Sequence, residues 1–163
     1  MERLGNYINA EWVDSASKKV RDIENPGTGE ILGQVPMATS AEVDSAVKSA
    51  RKAFDKWKNI PVTERVKYLF KLKTLLEKHS EEIATLTTIE HGKTLDEARG
   101  DTTRLMENVD AALGIPSLMQ GNILWRITAD IDEYFVREPL GVFANIAPFN
   151  FPGMIPFWYL PYA

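Results

Sequence analysis

The sequence has 163 residues, of which 44% are hydrophobic and 26% are charged, a composition typical of a globular domain with one core. Its net charge of −4, with Lys and Arg spread along helix-like segments, argues against a nucleic-acid-binding protein, which needs clustered cations. The sequence contains no cysteine and two histidines, which excludes disulfides, thiolate zinc sites, a histidine metal site and a cysteine nucleophile within the chain.

The first 36 residues predict short β-strands. Residues 7–13 (YINAEWV) mix apolar and polar side chains as short strands do. Residues 18–32 (KKVRDIENPGTGEIL) predict two strands joined by a turn, because ENPGTGE combines Asn, Pro and Gly. No apolar leader segment is visible at the N-terminus, so we expect a cytoplasmic protein.

Four helices are predicted between residues 39 and 114. The first and fourth begin at capping boxes, formed by Thr39 with Glu42 and by Thr94 with Glu97. The second begins near residue 63 and the third near residue 80, and Gly92 ends the third. Apolar residues at spacings of three and four predict the inward faces, helix by helix: Val43, Val47, Ala50, Phe54 and Trp57; Val66, Leu69, Leu72 and Leu76; Ile83 and Leu86; Ala98, Leu105, Val109 and Ala112.

The last 40 residues predict β-structure followed by the start of a helix. Residues 123–138 predict two strands with a turn near residues 129–132. The apolar run from Val142 to Pro148 favours a strand buried on both faces, as in a parallel sheet. Asn150 and Pro152 then predict the beginning of a helix, since Asn is favoured at the cap and Pro in the first turn.

The apolar C-terminal segment, residues 142–163, has the length of a membrane span but is not expected to be one. Its four prolines would each remove a helical hydrogen bond: Pro148, Pro152, Pro156 and Pro161. Because a single parallel strand has no partner in this chain, we expect the sequence to be the N-terminal piece of a longer protein.

Several motifs together resemble the aldehyde dehydrogenase superfamily. Residues 138–152 (EPLGVFANIAPFNFP) are similar to its P-x-G-V…I-x-P-(W/F)-N-F-P motif, and residues 90–101 (EHGKTLDEARGD) to its E-x-G-K-x-x-x-E-A-x-G-(D/E) helix start. Three further features resemble the CoA-acylating methylmalonate/malonate-semialdehyde dehydrogenases: Phe149 where most members have Trp, the N-F-P-x-M-x-P-x-W-x-x-P-x-A spacing of residues 150–163, and the R-x-x-E-N-V segment that begins at Arg104.

The resemblance implies an α/β fold of which this chain is the incomplete N-terminal part. Residues 1–121 would form the N-terminal strands and helices of the cofactor-binding domain, residues 122–140 an oligomerisation arm, and residues 141–163 the start of the dinucleotide-binding α/β sheet. A homotetramer is implied for the complete protein. The family's nucleophilic cysteine, phosphate-binding lysine segment and activating glutamate would lie beyond residue 163, so we expect this chain alone to be inactive.

The resemblance also implies roles for three residues near the C-terminus. The side-chain amide of Asn150 would donate a hydrogen bond to the oxyanion of the reaction, and Ala147 and Phe149 would contact the cofactor NAD. From the residues alone, a helix cap is the favoured role of Asn150, and core packing is the favoured role of Ala147 and Phe149. The cap and oxyanion roles of Asn150 are compatible with each other. The choice between NAD and NADP stays open.

Arg104 would bind the carboxylate of the substrate, because a guanidinium can form two parallel hydrogen bonds with it. The alternative is a salt bridge on the same helix, with Glu107 or Asp101.

The function implied is the NAD-dependent oxidation of a small carboxylated aldehyde, (methyl)malonate semialdehyde, with loss of carbon dioxide and transfer of the acyl group to coenzyme A. Two alternatives stay open. One is a general aldehyde dehydrogenase that releases its acyl group by hydrolysis. The other is a non-catalytic truncated or interaction module, for which the missing cysteine is the support.

Overall fold

A computed structural model describes residues 3–163, which form three antiparallel two-stranded sheets and a layer of helices. The strands pair in the order of the chain: β1 (Asn6–Ile8) with β2 (Glu11–Val13), β3 (Val20–Glu24) with β4 (Ile31–Pro36), and β5 (Asn122–Thr128) with β6 (Ile131–Phe135). The helices are α1 (Ser40–Trp57), α2 (Val62–Lys78), α3 (Ser80–His91), α4 (Leu95–Leu113), the short α5 (Ile115–Leu118) and a 3₁₀ helix (Ile155–Trp158).

The three hairpins confirm the predicted strands. The conformation of the turn residues explains where the strands end and why they pair. Residues 7–13 divide into two strands because Asn9 and Ala10 both adopt positive φ angles, of 55° and 62°, as a tight hairpin turn requires. In the second hairpin the side chain of Asn25 accepts a hydrogen bond from the N–H of Gly27 at 2.9 Å, which closes the turn.

The helix boundaries follow the predicted signals. The Oγ1 of Thr39 accepts from the N–H of Glu42 at 3.3 Å, and the Glu42 carboxylate accepts from the N–H of Thr39 at 2.6 Å. Thr94 and Glu97 repeat this capping box at the start of α4. Gly92 ends α3 in the left-handed region, with a φ of 84°.

The core lies where α2, α3, α4 and the 3₁₀ helix meet. Its centre consists of Leu76, Leu105 and Val109, against which four half-buried residues pack: Leu72, Ile83, Met106 and Phe157. The predicted inward face of α4 is confirmed in full, since Ala98, Leu105, Val109 and Ala112 are all buried.

The predicted inward face of α1 was wrong. No residue of α1 is buried, and Val43 and Val47 are each about half exposed. Leu86 of α3 is likewise exposed. The helical periodicity identifies an apolar face correctly, but burial also requires a neighbour. Within residues 3–163 the neighbour seen is α2 at the end of this face, where the ring of Trp57 lies 5.5 Å from that of Tyr68.

The C-terminal segment also departs from prediction. Residues 142–148 form no strand, because none of the described strands lies beside them to pair with. In place of an α-helix after Asn150, turns lead into the short 3₁₀ helix. The segment is nevertheless held down: Met154 and Ile155 are buried, and a Cβ on Gly153 would lie 3.7 Å from Leu105 of α4.

Among the helices of residues 3–163, none has both the length and the apolarity needed to cross a bilayer.

The capping box of α1 predicts how stability changes with pH. Hydrogen bonds lower the pKa of Glu42 to about 2, first from the backbone of Thr39, then from the side chains of Ser15 and Thr39. Since the pKa of Glu42 in the folded protein lies below its ordinary value of 4.5, this contribution is present above about pH 4.5 and is lost as the pH falls towards 2. We expect Glu42→Gln to lower the melting temperature at pH 7 by a few degrees, and the difference from wild type to shrink at acid pH in thermal melts followed by circular dichroism.

The matched control is Glu64→Gln, in the first turn of α2, where no side chain caps the helix. A difference between wild type and Glu42→Gln that stayed constant from pH 7 to pH 2 would contradict the assignment.

Candidate functional site

Two of the predicted site residues, Arg104 and Asn150, line one groove of about 650 Å³. The groove lies between the junction of α3 with α4 and the segment that contains Asn150. Lys93, Asp101 and Phe151 contribute to the same walls. Residues separated by 46 positions therefore meet at one surface, where an amide and a guanidinium face a shared space.

The local fold explains this convergence. Gly92 turns the chain between the two helices, so that Lys93 stands at the entrance to α4. Asp101 and Arg104 are three residues apart on α4, which places them about one turn apart on the same face. The packing of residues 153–157 against α4 brings Asn150 to the opposite wall.

A buried ion pair lies in the wall of the groove. The ammonium of Lys93 donates to the Asp101 carboxylate, and the two side chains are only 13% and 6% exposed. The Lys93 Nζ also lies 4.0 Å from the centre of the Phe151 ring, a distance at which a cation is attracted to an aromatic face. The ion pair is essential to this wall because a carboxylate as buried as that of Asp101 requires a compensating charge.

Arg104 has no such partner. Its side chain is exposed, and no carboxylate of residues 3–163 lies within 4.0 Å of its guanidinium. The predicted alternative, a salt bridge with Glu107 or Asp101, is therefore absent from the structure, since Asp101 pairs with Lys93. Its predicted role in binding a carboxylate stays a prediction, with the guanidinium free to perform it.

Asn150 is exposed, and within residues 3–163 its side chain makes no hydrogen bond. The alternative role as a helix cap is not realised, because the 3₁₀ helix begins five residues later and has Met154 as its cap. The amide donor is thus available to a ligand in the groove. The oxyanion role remains a prediction.

Ala147 and Phe149 lie outside the walls of this groove. Ala147 is half-buried, whereas the side chain of Phe149 is 85% exposed. Core packing, the alternative considered for Phe149, is therefore not seen among the described residues. The predicted contact of both residues with a cofactor stays a prediction.

Glu97 also borders the groove, but its carboxylate is committed to the helix cap. The hydrogen bond from the Thr94 side chain lowers its pKa most, followed by the one from the Thr94 backbone, with smaller contributions from the charges of Lys93 and His91. A carboxylate held ionised in this way does not act as a proton donor near neutral pH.

Sequence reasoning missed Lys93, Asp101 as its partner, and Phe151. The signal was present, because the segment EHGKTLDEARGD contains both ends of the ion pair, eight residues apart. The pairing of Lys93 with Asp101 depends on the turn at Gly92. Their spacing in the sequence is equally compatible with two charged residues that are exposed to solvent on a helix.

A second groove, of about 560 Å³, lies between α2, α5 and the C-terminal residues. Its walls are mainly apolar, with residues such as Val66, Leu118 and Leu160, and contain none of the predicted site residues. The second groove also contains two arginines, Arg65 and Arg137. The groove of Asn150 is the better candidate because it brings together two of the predicted site residues, Arg104 and Asn150.

Comparison with known proteins places this geometry in context. The sequence model of the Aldehyde dehydrogenase family matches residues 12–163. The malonate-semialdehyde dehydrogenase of Listeria monocytogenes serotype 4b is 48% identical over all 163 residues, which correspond to 33% of that protein.

Two solved structures are similar to this fold. The methylmalonate-semialdehyde dehydrogenase of Oceanimonas doudoroffii has a TM-score of 0.94 and 38% identity, over 99% of this chain and 33% of its own. A structure from Sinorhizobium meliloti, provisionally assigned as a methylmalonate-semialdehyde dehydrogenase and complexed with NAD, has a TM-score of 0.92 and 40% identity, over 97% of this chain and 32% of its own. The chain thus spans about a third of the length of these relatives.

Replacement of glycine by alanine is expected to have opposite effects on stability at two glycines of the groove. Gly92 has a φ of 84°, and a Cβ there would lie 2.8 Å from the Cγ of Pro26. We expect Gly92→Ala to destabilise the fold by about 1–2 kcal/mol from the backbone conformation alone. Gly100 lies within α4 with open space around its Cα, so Gly100→Ala is expected to stabilise by about 0.5–1 kcal/mol. Urea denaturation measures both, and a change of the same sign in the two variants would contradict this account.

Proposed function

Because this chain belongs to the aldehyde dehydrogenase family, we propose that it supplies part of the active site of an NAD-dependent enzyme that oxidises a small carboxylated aldehyde, the semialdehyde of malonate or methylmalonate. This chain corresponds to about a third of the length of the relatives. Every assay below therefore uses an enzyme of their length whose residues 1–163 have this sequence, here termed the full-length enzyme. The names of the relatives support this choice of substrate.

One observation carries the proposal: the free guanidinium of Arg104 and the free amide of Asn150 face the same groove. A semialdehyde of malonate has a carboxylate at one end and a carbonyl at the other. Arg104 would bind the carboxylate, and the carbonyl would then lie towards Asn150. The residues would thus bind and orient the substrate at its two polar ends.

Asn150 would act on the reacting carbonyl. In this family a thiolate attacks the aldehyde and a negatively charged oxygen develops, which a fixed donor stabilises. The Nδ2 of Asn150 would donate that hydrogen bond. The nucleophilic cysteine is not among residues 1–163, so in the full-length enzyme another part of the protein would provide it.

Ala147 and Phe149 would contact the nicotinamide end of NAD. The residues fit this role, since the exposed ring of Phe149 presents an uncovered apolar surface one residue before Asn150. The nicotinamide, when bound, supplies the hydride acceptor. The protein's own contribution here would be the exposed ring of Phe149, an apolar surface on which the cofactor ring would pack.

The acyl group would pass to coenzyme A, with loss of carbon dioxide. The similarity to semialdehyde dehydrogenases, in which the substrate has a removable carboxylate, supports this choice over hydrolytic release. The two fates differ in a direct assay: with coenzyme A present, the full-length enzyme would form acyl-CoA, and a free acid as the main product would favour hydrolysis.

We assign residues 122–140, which include the hairpin of β5 and β6, as the oligomerisation arm of a homotetramer. The arm would lie between the N-terminal strands and helices of the cofactor-binding domain, residues 1–121, and the start of the dinucleotide-binding sheet, residues 141–163. All twelve of its strand residues are exposed, including Trp125 and Tyr134. An exposed apolar ribbon of this size is typical of a surface that a partner covers.

Replacement of Arg104 tests the recognition of the carboxylate. We expect Arg104→Leu to raise KM for the carboxylated aldehyde about 10- to 100-fold, because a hydrogen bond to a charged group contributes about 1.5–3 kcal/mol. KM for propanal, which has no carboxylate, should change little. The control is Arg99→Leu on the same helix, where the guanidinium is paired with Glu81 and Asp96. Equal changes for both substrates in Arg104→Leu would refute the proposal.

Replacement of Asn150 tests the oxyanion role. We expect Asn150→Ala to lower kcat by about 10²–10³ for both aldehydes, since loss of one oxyanion donor costs about 2.7–4 kcal/mol in the transition state. Asn145→Ala is the matched control, because the amide of Asn145 donates to the carbonyl of Pro156 and lies outside the groove. Steady-state rates at saturating substrate decide the matter, and a kcat for Asn150→Ala within twofold of the control would exclude this role.

A further inference from the structure

We propose that Lys93 is a positioning residue that keeps Arg104 available to a carboxylated substrate by neutralising Asp101, and so maintains the preference of the enzyme for carboxylated aldehydes. This inference rests on the proposed function, because it assigns Arg104 to the substrate. It adds that the carboxylate of Asp101 and the carboxylate of the substrate compete for the guanidinium of Arg104.

The positions of the three residues create this competition. Asp101 and Arg104 lie one turn apart on α4 and line the same groove, the spacing at which Asp and Arg pair on a helix. Arg104 nevertheless has no carboxylate partner within residues 3–163, and Asp101 pairs with Lys93. The ion pair that forms therefore determines which cation stays free.

Lys93 is held in place for this pairing. Its side chain is largely buried, its ammonium lies over the ring of Phe151, and the left-handed turn at Gly92 fixes the backbone before it. The other carboxylate nearby, Glu97, accepts hydrogen bonds from Thr94 and so does not draw Lys93 away from Asp101. A restrained lysine loses little further conformational entropy when it pairs, which favours it over the exposed Arg104 as the partner of Asp101.

Removal of Lys93 would reverse the arrangement. The buried carboxylate of Asp101 would lack its counter-charge, and Arg104 on the next turn of the same helix would be the cation able to replace it. A substrate carboxylate would then have to displace Asp101 to reach the guanidinium. Propanal makes no such demand, so the effect should appear in KM for the carboxylated aldehyde.

The test compares Lys93→Met, the double variant Lys93→Met with Asp101→Asn, and the control Lys48→Met in the full-length enzyme at pH 8. Lys48 is an exposed residue of α1 whose ammonium pairs with Asp44. We expect Lys93→Met to raise the ratio of KM for the carboxylated aldehyde to KM for propanal at least about tenfold. Loss of the ion pair alters the groove wall for both substrates, but only a carboxylate competes with Asp101 for Arg104. The double variant should recover this ratio to within about threefold of wild type, because the competing carboxylate is gone.

A purely structural role of Lys93 would give a different pattern. It would change KM for both aldehydes by the same factor, and the added Asp101→Asn substitution would not restore the preference for the carboxylated aldehyde. Either result overturns the proposal. If Lys93→Met does not fold, Lys93→Gln retains a hydrogen-bond donor to Asp101 without the charge, and the same rise in the ratio of KM values and the same recovery are expected of it.

A crystal structure of the Lys93 variant of the full-length enzyme provides a readout independent of activity. The guanidinium of Arg104 should lie within hydrogen-bond distance of Asp101, and an Arg104 that stays unpaired would overturn the inference. The two proposals fail separately: Arg104→Leu decides the role of Arg104 towards the substrate, and the variant structure decides whether Lys93 governs its pairing.

Discussion

The buried ion pair of Lys93 and Asp101 is the interaction on which the candidate site depends. Asp101 belongs to the inward face of α4, in the same stripe as Ala98 and Leu105, where a carboxylate is costly without a counter-charge. Lys93 meets that requirement from the turn before the helix and at the same time contacts the ring of Phe151. One pair thus joins the start of α4 to the segment that contains Asn150 and leaves Arg104 unpaired.

Helix α4 both forms the core and lines the groove, because its inward-facing residues and its groove-facing residues follow the same helical repeat. Leu105 and Val109 form the centre of the core with Leu76 of α2, and the residues after Asn150 pack on them. Arg104, immediately before Leu105 in sequence, lies at the edge of this stripe and faces the groove. Core packing therefore sets the distance across the groove between Arg104 and Asn150.

The sequence predicted those parts of the fold that are determined locally. The capping boxes, the end of α3 at Gly92 and the turn residues of the second and third hairpins act within a few positions of the chain, and all were confirmed. The membership of the aldehyde dehydrogenase family and the similarity to semialdehyde dehydrogenases, recognised from motifs, were also confirmed.

Parts of the fold that depend on packing against another element were not predictable in this way. The apolar face of α1 and the run at residues 142–148 have the right composition for burial, but most of their side chains are exposed among the described residues. The partner of Asp101 likewise depends on tertiary contact.

The central claim is that the groove between Arg104 and Asn150 holds a carboxylated aldehyde by its two polar ends. A crystal structure of the full-length enzyme with NAD and an unreactive carboxylate-bearing substrate analogue tests it most directly. The claim predicts the carboxylate of the analogue about 2.7–3.2 Å from the guanidinium nitrogens of Arg104, with its other end directed at the amide of Asn150. An analogue whose carboxylate is bound by other residues, with Arg104 left in solvent, would contradict it.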